Sequence, residues 1–313
     1  MKTYQHTLKK GIIRTKTFEE KGLAQFAVNC GLKCGHGCTY CSTGAMLRTN
    51  PIFKKLGLSP FDNSYAIIDP DTPRRVAYDA QKKKKTGIVQ LCTIVDAWAP
   101  EAQEYNLGRK CLEAILSEAG WTVRILTKNA SVINDFDFIE KYFDRVIVGL
   151  SITATPEKSN IIKVIEPNAS PIEERLDALR QAHNQGLRTY GMLCPLLPGI
   201  ADSSEQIDQL VKSMVECGVE EIFAEAVNPR GRGLILTEQA LLAAGLFSEA
   251  VAIRNIRKRQ NWSNYVMCLI KNVQRSVREY YDISKLRFLQ YPSGLKKRDI
   301  AEIKKDDAGV VWL

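Results

Sequence analysis

The chain has 313 residues, 45% of them apolar, enough to bury a large core as one domain or as a domain with extensions. Its net charge of +9 favours a polyanionic partner without demanding one. Nine cysteines are too few and too clustered for a secreted disulfide scaffold. The N-terminus MKTYQHTLKKGIIRTKT lacks the apolar stretch of a signal peptide, and no apolar run nears membrane-spanning length, so a soluble, cytoplasmic protein with no membrane partner is expected.

In chain order, residues 23–29 read as a strand running straight into a loop that carries three cysteines. A long connection with Pro51, Gly57 and Pro60 follows, then a helix over 73–84. The run IVQLCT at 88–93 is a second strand, and 107–119 a helix closed by Gly120. TVRILT at 122–127 is a third strand, 132–142 a short helix, and VIVGLSI at 146–152 a fourth strand. Short, nearly continuous apolar runs of this kind suit strands buried on both faces. Ser170 to Glu173 has the form of a capping box, and Ile172, Leu176, Leu179 and His183 follow at helical spacing up to Gly186. His183 on that stripe reads as a hydrogen-bonded core or boundary residue. A fifth strand spans 189–194, and a second capping box, Ser203 to Gln206, leads a helix with Ile207, Leu210, Val211 and Met214 inward and Gly218 at its end. A sixth strand covers 221–227, and beyond Trp262 come a helix to about Tyr280, a strand at 286–291 and a basic tail.

Six alternations of strand and helix argue for parallel βα units. Periodicity alone leaves open whether they form a barrel, which gathers the strand-to-helix loops at one rim, or an open doubly wound sheet. The division expected is an N-terminal arm (1–22), a core (23–259) and a C-terminal extension (260–313). Basic residues gather at Lys82 to Lys85, around Arg230 and Arg232, at Arg254 to Arg259 and at Lys296 to Arg298. Each cluster can be a solvated helix end, and together they allow a nucleic acid partner.

The cysteine loop reads Cys34-Gly-His-Gly-Cys38-Thr-Tyr-Cys41. Three thiolates do not close a four-coordinate zinc site, but they can hold three irons of a four-iron cluster and leave the fourth open. A structural zinc site drawing on Cys30 or His36 is the alternative, in a basic nucleic-acid-binding protein without catalysis. Structural zinc sites usually pair two short knuckles from separate segments, whereas these ligands share one loop. Cys30 lies outside the register of the motif and reads as a strand-end cysteine.

The C-x3-C-x2-C spacing, with an aromatic before the last cysteine, resembles the radical SAM superfamily. That resemblance implies a partial (βα)6 barrel of the TIM type, a [4Fe-4S] cluster on Cys34, Cys38 and Cys41, and S-adenosyl-L-methionine on the open iron. A reduced cluster would cleave the cofactor to methionine and a 5′-deoxyadenosyl radical that abstracts hydrogen. The electron would come from a donor such as flavodoxin or ferredoxin. The segments Ile165-Glu-Pro-Asn-Ala-Ser-Pro and Gly191-Met-Leu-Cys-Pro-Leu-Leu-Pro-Gly199 look like those of spore photoproduct lyase and DNA repair photolyase-like proteins. Matching local patterns then imply that Lys128 contacts the cofactor carboxylate, that Ser151 lies near its methionine part, and that Tyr40 packs beside the adenine. They further imply that Cys92 returns a hydrogen atom to the product radical. The match departs after Cys92-Thr93, where Ile94 and Val95 precede Asp96 and a cofactor-contacting serine of the lyase is absent. Asn228, Arg230 and Arg232 follow the sixth strand and can hold a phosphate or carboxylate, or cap the barrel end. The substrate expected is nucleic acid or nucleotide-like. A radical modifier of a peptide, protein or metabolite is the alternative, weakened because only Cys268 lies beyond Cys217 to serve an auxiliary cluster.

Overall fold

The computed structural model describes residues 1–82 and 85–313. Its strands are β1 (Lys2–Gln5), β2 (Ile13–Arg14), β3 (Phe26–Val28), β4 (Gly31–Lys33), β5 (Tyr65–Ile68) and β6 (Ile88–Leu91). They continue with β7 (Thr122–Ile125), β8 (Val146–Ser151), β9 (Arg188–Leu196), β10 (Ile222–Ala226), β11 (Leu286–Gln290) and β12 (Val310–Trp312). One sheet runs in the order β12-β11-β10-β9-β8-β7-β6-β3-β2, parallel throughout except for the antiparallel edge strand β2. Among the described residues no pairing joins β12 to β2, so the sheet forms a partial barrel. The six expected strands are all present. The stretch after Trp262 adds β11 and β12 to the same sheet in parallel, through the long helix Arg259–Tyr280.

Inward-facing positions alternate along the strands as a parallel sheet requires. Ile147, Tyr190, Met192, Phe223 and Leu289 form the inner cluster, joined by Leu23 and backed by Phe18 from the N-terminal segment. Gly149 lies opposite Tyr190 in the ladder, and a Cβ there would overlap the tyrosine ring. The Tyr190 hydroxyl donates to the Ile125 carbonyl at 2.8 Å. The Arg124 guanidinium sits over the Tyr190 and Phe223 rings and makes the floor of the barrel. The larger apolar cluster fills the space between the outer faces of the strands and the helices.

Several local expectations are corrected. The first strand does not run directly into the cysteine loop: after β3 the chain enters β4, which pairs with β5 in a separate three-stranded sheet ordered β1-β5-β4. Gly31 makes this possible, because a Cβ there would overlap the Ile67 carbonyl. The capping box at Ser170 and Glu173 does not form. Ser170 Oγ instead accepts from the Ala130 amide at 2.9 Å, and Glu173 accepts from Ser159 Oγ, so tertiary partners win over the local motif. The box at Ser203 and Gln206 is reciprocal as expected. His183 is exposed, its ring against Gly218. The helix expected over 73–84 is Thr72–Lys82, with Lys83 and Lys84 outside the described residues. The helix expected over 132–142 is a chain of short turns, Ala130–Asp135, Phe136–Ile139 and Glu140–Tyr142. Helix Ser159–Ile165 lacked a capping or periodic signal. Among the described residues no helix is long and apolar enough to cross a membrane.

Candidate active site

The cysteine loop leaves β4 and turns at Gly37, whose φ of 68° favours glycine. Its backbone is held from several sides. Glu101 Oε1 accepts from the Gly35 amide at 2.9 Å, and Asn63 Nδ2 donates to the Cys38 carbonyl at 2.9 Å. The other bracket is the Ile165-Glu-Pro-Asn segment. The Ile165 carbonyl accepts from Thr39 N, while Asn168 donates to the carbonyls of Gly35 and His36. A sequence signature read as a branch marker thus has a physical task, which is to clasp the cysteine loop.

Cys34, Cys38 and Cys41 are half-buried and border one cavity of about 860 Å³ at the C-terminal ends of the strands. Tyr40, Cys92, Lys128 and Ser151 border the same cavity, so all the expected site residues are brought together. The volume lies at the upper end of small-molecule sites. Burial and the neighbouring Cys41 and Cys38 raise the pKa of the Cys34 thiol, and burial followed by the Glu166 charge pushes Cys38 up to about 12. These thiols therefore stay protonated until a cation among them takes the place of their protons. The buried Lys33 ammonium, bonded to Asn63 Oδ1 at 2.6 Å, lies within electrostatic range of all three. Among the described residues no three His, Cys, Asp or Glu side chains converge on a single-ion position. A multi-iron cluster takes one thiolate per iron and needs no such convergence, so the donor set fits it.

Two buried networks fix the wall beside the loop, and sequence reasoning missed both. In the first, Tyr40 donates its hydroxyl to Glu166, and Glu166 is paired with Arg175, which is 0% exposed. Arg175 also donates to the carbonyls of Ser170 at 2.7 Å and Ser151 at 3.1 Å, tying Tyr40 and Ser151 to one guanidinium. In the second, Asp96 accepts from His36 Nε2 at 2.8 Å, Thr127 Oγ1, Lys128 N and Trp98 N. Burial opposes both charges of this pair, but their attraction raises the His36 pKa and lowers that of Asp96. Asp96 so anchors the backbone of Lys128. Among the described residues the Lys128 ammonium makes no ion pair and only a long bond to the Cys194 carbonyl, at 3.5 Å, and the Ser151 hydroxyl has no protein partner.

Cys92 is 3% exposed, and its Sγ donates to Cys30 Sγ at 3.9 Å, which lies 3.8 Å from Cys111 Sγ. Cys30 is thus a buried neighbour of Cys92. A second thiol, Cys194 on β9, also borders the cavity, with the Lys21–Glu225 pair beside it. Asn228 and Arg230 border the cavity as well, while Arg232 stands outside it at the head of helix Gly233–Ala243. Of the other basic clusters, Arg254 and Arg257 are spent on Glu238, at 2.7 and 2.8 Å. Cys268 is exposed and does not border the cavity.

Similarity to known proteins agrees with this geometry. Uncharacterized protein ORF301 of Acidianus two-tailed virus is 28% identical over 222 residues, which cover 69% of this chain and 71% of that protein. Uncharacterized protein MJ0683 of Methanocaldococcus jannaschii is 27% identical over 179 residues, 57% of this chain and 63% of that protein. A spore photoproduct lyase variant with bound AdoMet and a dinucleoside spore photoproduct superposes with a TM-score of 0.59. It covers 89% of this chain and 79% of its own at 13% identity, a likeness of fold. Residues 28–225, from β3 to β10, match the radical SAM superfamily, and the chain belongs to it.

Proposed function

We propose that this chain is an iron–sulfur enzyme that cleaves S-adenosylmethionine reductively and acts on a nucleic acid or nucleotide-like substrate, in repair or modification akin to that of the photoproduct lyases. The observation that carries the reading is that the three loop cysteines, Tyr40, Lys128, Ser151 and Cys92 all border one cavity. When bound, the cluster and cofactor supply a one-electron route to hydrogen abstraction from an unactivated carbon. Cys34, Cys38 and Cys41 hold the cluster. The unpaired Lys128 ammonium takes the cofactor carboxylate, the Ser151 hydroxyl meets the methionine part, and the Tyr40 ring, pinned through its hydroxyl to Glu166, forms a wall for the adenine. Cys92 keeps its hydrogen, because burial and Cys30 hold its thiol pKa well up, and a weak S–H bond suits hydrogen return to a carbon radical.

Support for the substrate comes from the net charge of +9 and from the cavity rim, where Arg48 and Arg230 stand exposed without ion pairs among the described residues. The fold likeness to a lyase bound to a dinucleoside photoproduct points the same way. All nine cysteines are free, which suits a reducing compartment such as the cytoplasm, where a flavodoxin or ferredoxin would serve as donor. Anaerobic reconstitution with iron and sulfide, followed by reduction with S-adenosylmethionine, should give cluster absorption, a reduced-cluster spin resonance signal and 5′-deoxyadenosine. One zinc per chain and no cluster would overturn the reading. Incubation with ultraviolet-irradiated DNA then tests the repair branch.

A further inference from the structure

We propose that Lys21 and Glu225 form a base-reading subsite in the cavity wall, taking the N–H and C=O edge of a nucleobase whose ring lies against Tyr291. This deepens the nucleotide reading above and rests on it.

Lys21 comes from the N-terminal segment and Glu225 from β10, 204 positions apart, and they meet at 3.2 Å on the cavity wall. Lys21 is only 9% exposed. Burial works against its charge, yet Glu225 and its other neighbours leave its pKa raised, so it is an ammonium. An ammonium has three donors, and among the described residues only Glu225 accepts from it. The Phe18 and Tyr291 rings flank it, at 5.5 and 5.6 Å from their centroids. On the carboxylate, Oε2 serves Lys21 and the weakly held Cys194 thiol, while Oε1 has no partner among the described residues and is not sealed from solvent. The pair therefore presents a donor and an acceptor side by side to the cavity.

A structural role explains this poorly. A buried pair is usually no more stabilising than apolar side chains of the same volume, so charges kept in a cavity wall call for a ligand that uses them. Their complement is a planar group with N–H next to C=O. A nucleobase is favoured over a peptide amide by what surrounds the pair. Tyr291 offers a ring face to stack on, with the Arg230 guanidinium 5.5 Å from its centroid. Among the described residues the cavity's carboxylates, Asp96 and Glu225, are each matched by a cation, whereas Arg48 and Arg230 at the rim are not, so the rim suits a phosphate-bearing ligand.

The test is equilibrium binding of 2′-deoxyuridine 5′-monophosphate and its N3-methyl derivative to the reconstituted full chain. Methylation removes the ring N–H, and the wild-type protein should bind the methylated probe at least about tenfold more weakly. The double variant Lys21→Met/Glu225→Leu avoids a stranded charge and should bind both probes equally weakly, with thermal unfolding checking its fold. Tyr291→Leu should weaken both probes alike. Equal affinity of the wild type for the two probes, no binding of either, or discrimination kept by the double variant would each overturn the subsite. So would equal competition by the capped amide N-acetylalanine methylamide. None of these readouts requires cofactor cleavage, so loss of 5′-deoxyadenosine formation refutes the enzyme reading separately.

Discussion

Replacing Arg175 with Met tests whether the buried network behind Tyr40 and Ser151 is an ion pair in more than appearance. The wild-type guanidinium neutralises Glu166 and donates to the Ser151 and Ser170 carbonyls, all without exposure to water. Methionine keeps an unbranched apolar stem and removes the charge and the donors. Stranding the carboxylate costs about 3–5 kcal/mol, and two deprived carbonyls add about 1 kcal/mol each after relaxation. A loss of about 5–7 kcal/mol is then expected, a large share of the usual ~5–15 kcal/mol of net stability. The pH dependence carries the sharper test. In the wild type, burial would raise the Glu166 pKa, but Arg175 and Lys128 hold it below its ordinary value near 4.5. Such a group contributes stability above pH 4.5 that is lost as pH falls through the depressed value. In Arg175→Met burial wins, the folded state holds a proton that the unfolded state releases, and stability rises as pH falls from 7 towards 5, by up to about 1.4 kcal/mol per unit. Adding Glu166→Gln should abolish that slope and recover the charge part, leaving the carbonyl deficit. Urea unfolding at pH 5, 6 and 7 on cofactor-free protein reads all three. A variant within about 1 kcal/mol of wild type, with the wild-type slope, would refute the reasoning.

Asp96→Asn should destabilise the chain and change its behaviour near neutrality. The raised His36 pKa means its stabilisation is full below pH 6.5 and lost as pH rises through the raised value, whereas a buried His36 deprived of its carboxylate and left with the Asn168 carbonyl gives stability that increases up to about pH 6.5, read by the same unfolding titration. Gly149→Ala should cost about 1–3 kcal/mol by forcing the Tyr190 ring aside, and Tyr190→Leu in the same chain should restore much of it; full stability of Gly149→Ala alone would contradict the packing. Lys33→Met removes a buried positive charge near the loop thiols, so the reduction potential of a reconstituted cluster should become more negative, by redox titration. Cys92→Ala should leave 5′-deoxyadenosine formation intact while product quenching becomes disordered; clean quenching would remove Cys92 as the hydrogen donor.

The strands were legible because residues such as Val146 to Ser151 are buried on both faces, and such burial leaves an unbroken apolar run in the sequence. The cysteine spacing was legible because one loop holds all three thiols. What escaped reading depends on partners far away in the chain. Nothing local says that Gly31 must lie against the Ile67 carbonyl, yet that contact diverts the chain into a second sheet before the loop. The Ser170 hydroxyl carried a helix-start signal, and the Ala130 amide claimed it. Glu166 and Arg175 were both inside or beside a quoted motif, but only the fold shows that the carboxylate reaches back to Tyr40. Lys21 drew no reading at all, because its carboxylate partner lies 204 positions away on the sixth strand of the core.

The clasp on the cysteine loop bears on how a metal would arrive. Ile165, Asn168, Asn63 and Glu101 each bond the loop backbone, and Gly37 sets its turn without any bond to the thiols. The loop conformation is therefore held by the protein, unlike small zinc modules in which metal binding and folding are one event. Loading then costs little chain entropy and is governed by deprotonation, because Cys34 and Cys38 carry raised pKa values while protonated. Cluster insertion should accordingly speed up with pH, and the cluster-free chain should keep the loop folded, read as amide exchange protection over residues 34–41. A loop that melted with the cluster would show instead that the Ile165 to Asn168 contacts are consequences of metal binding rather than its frame.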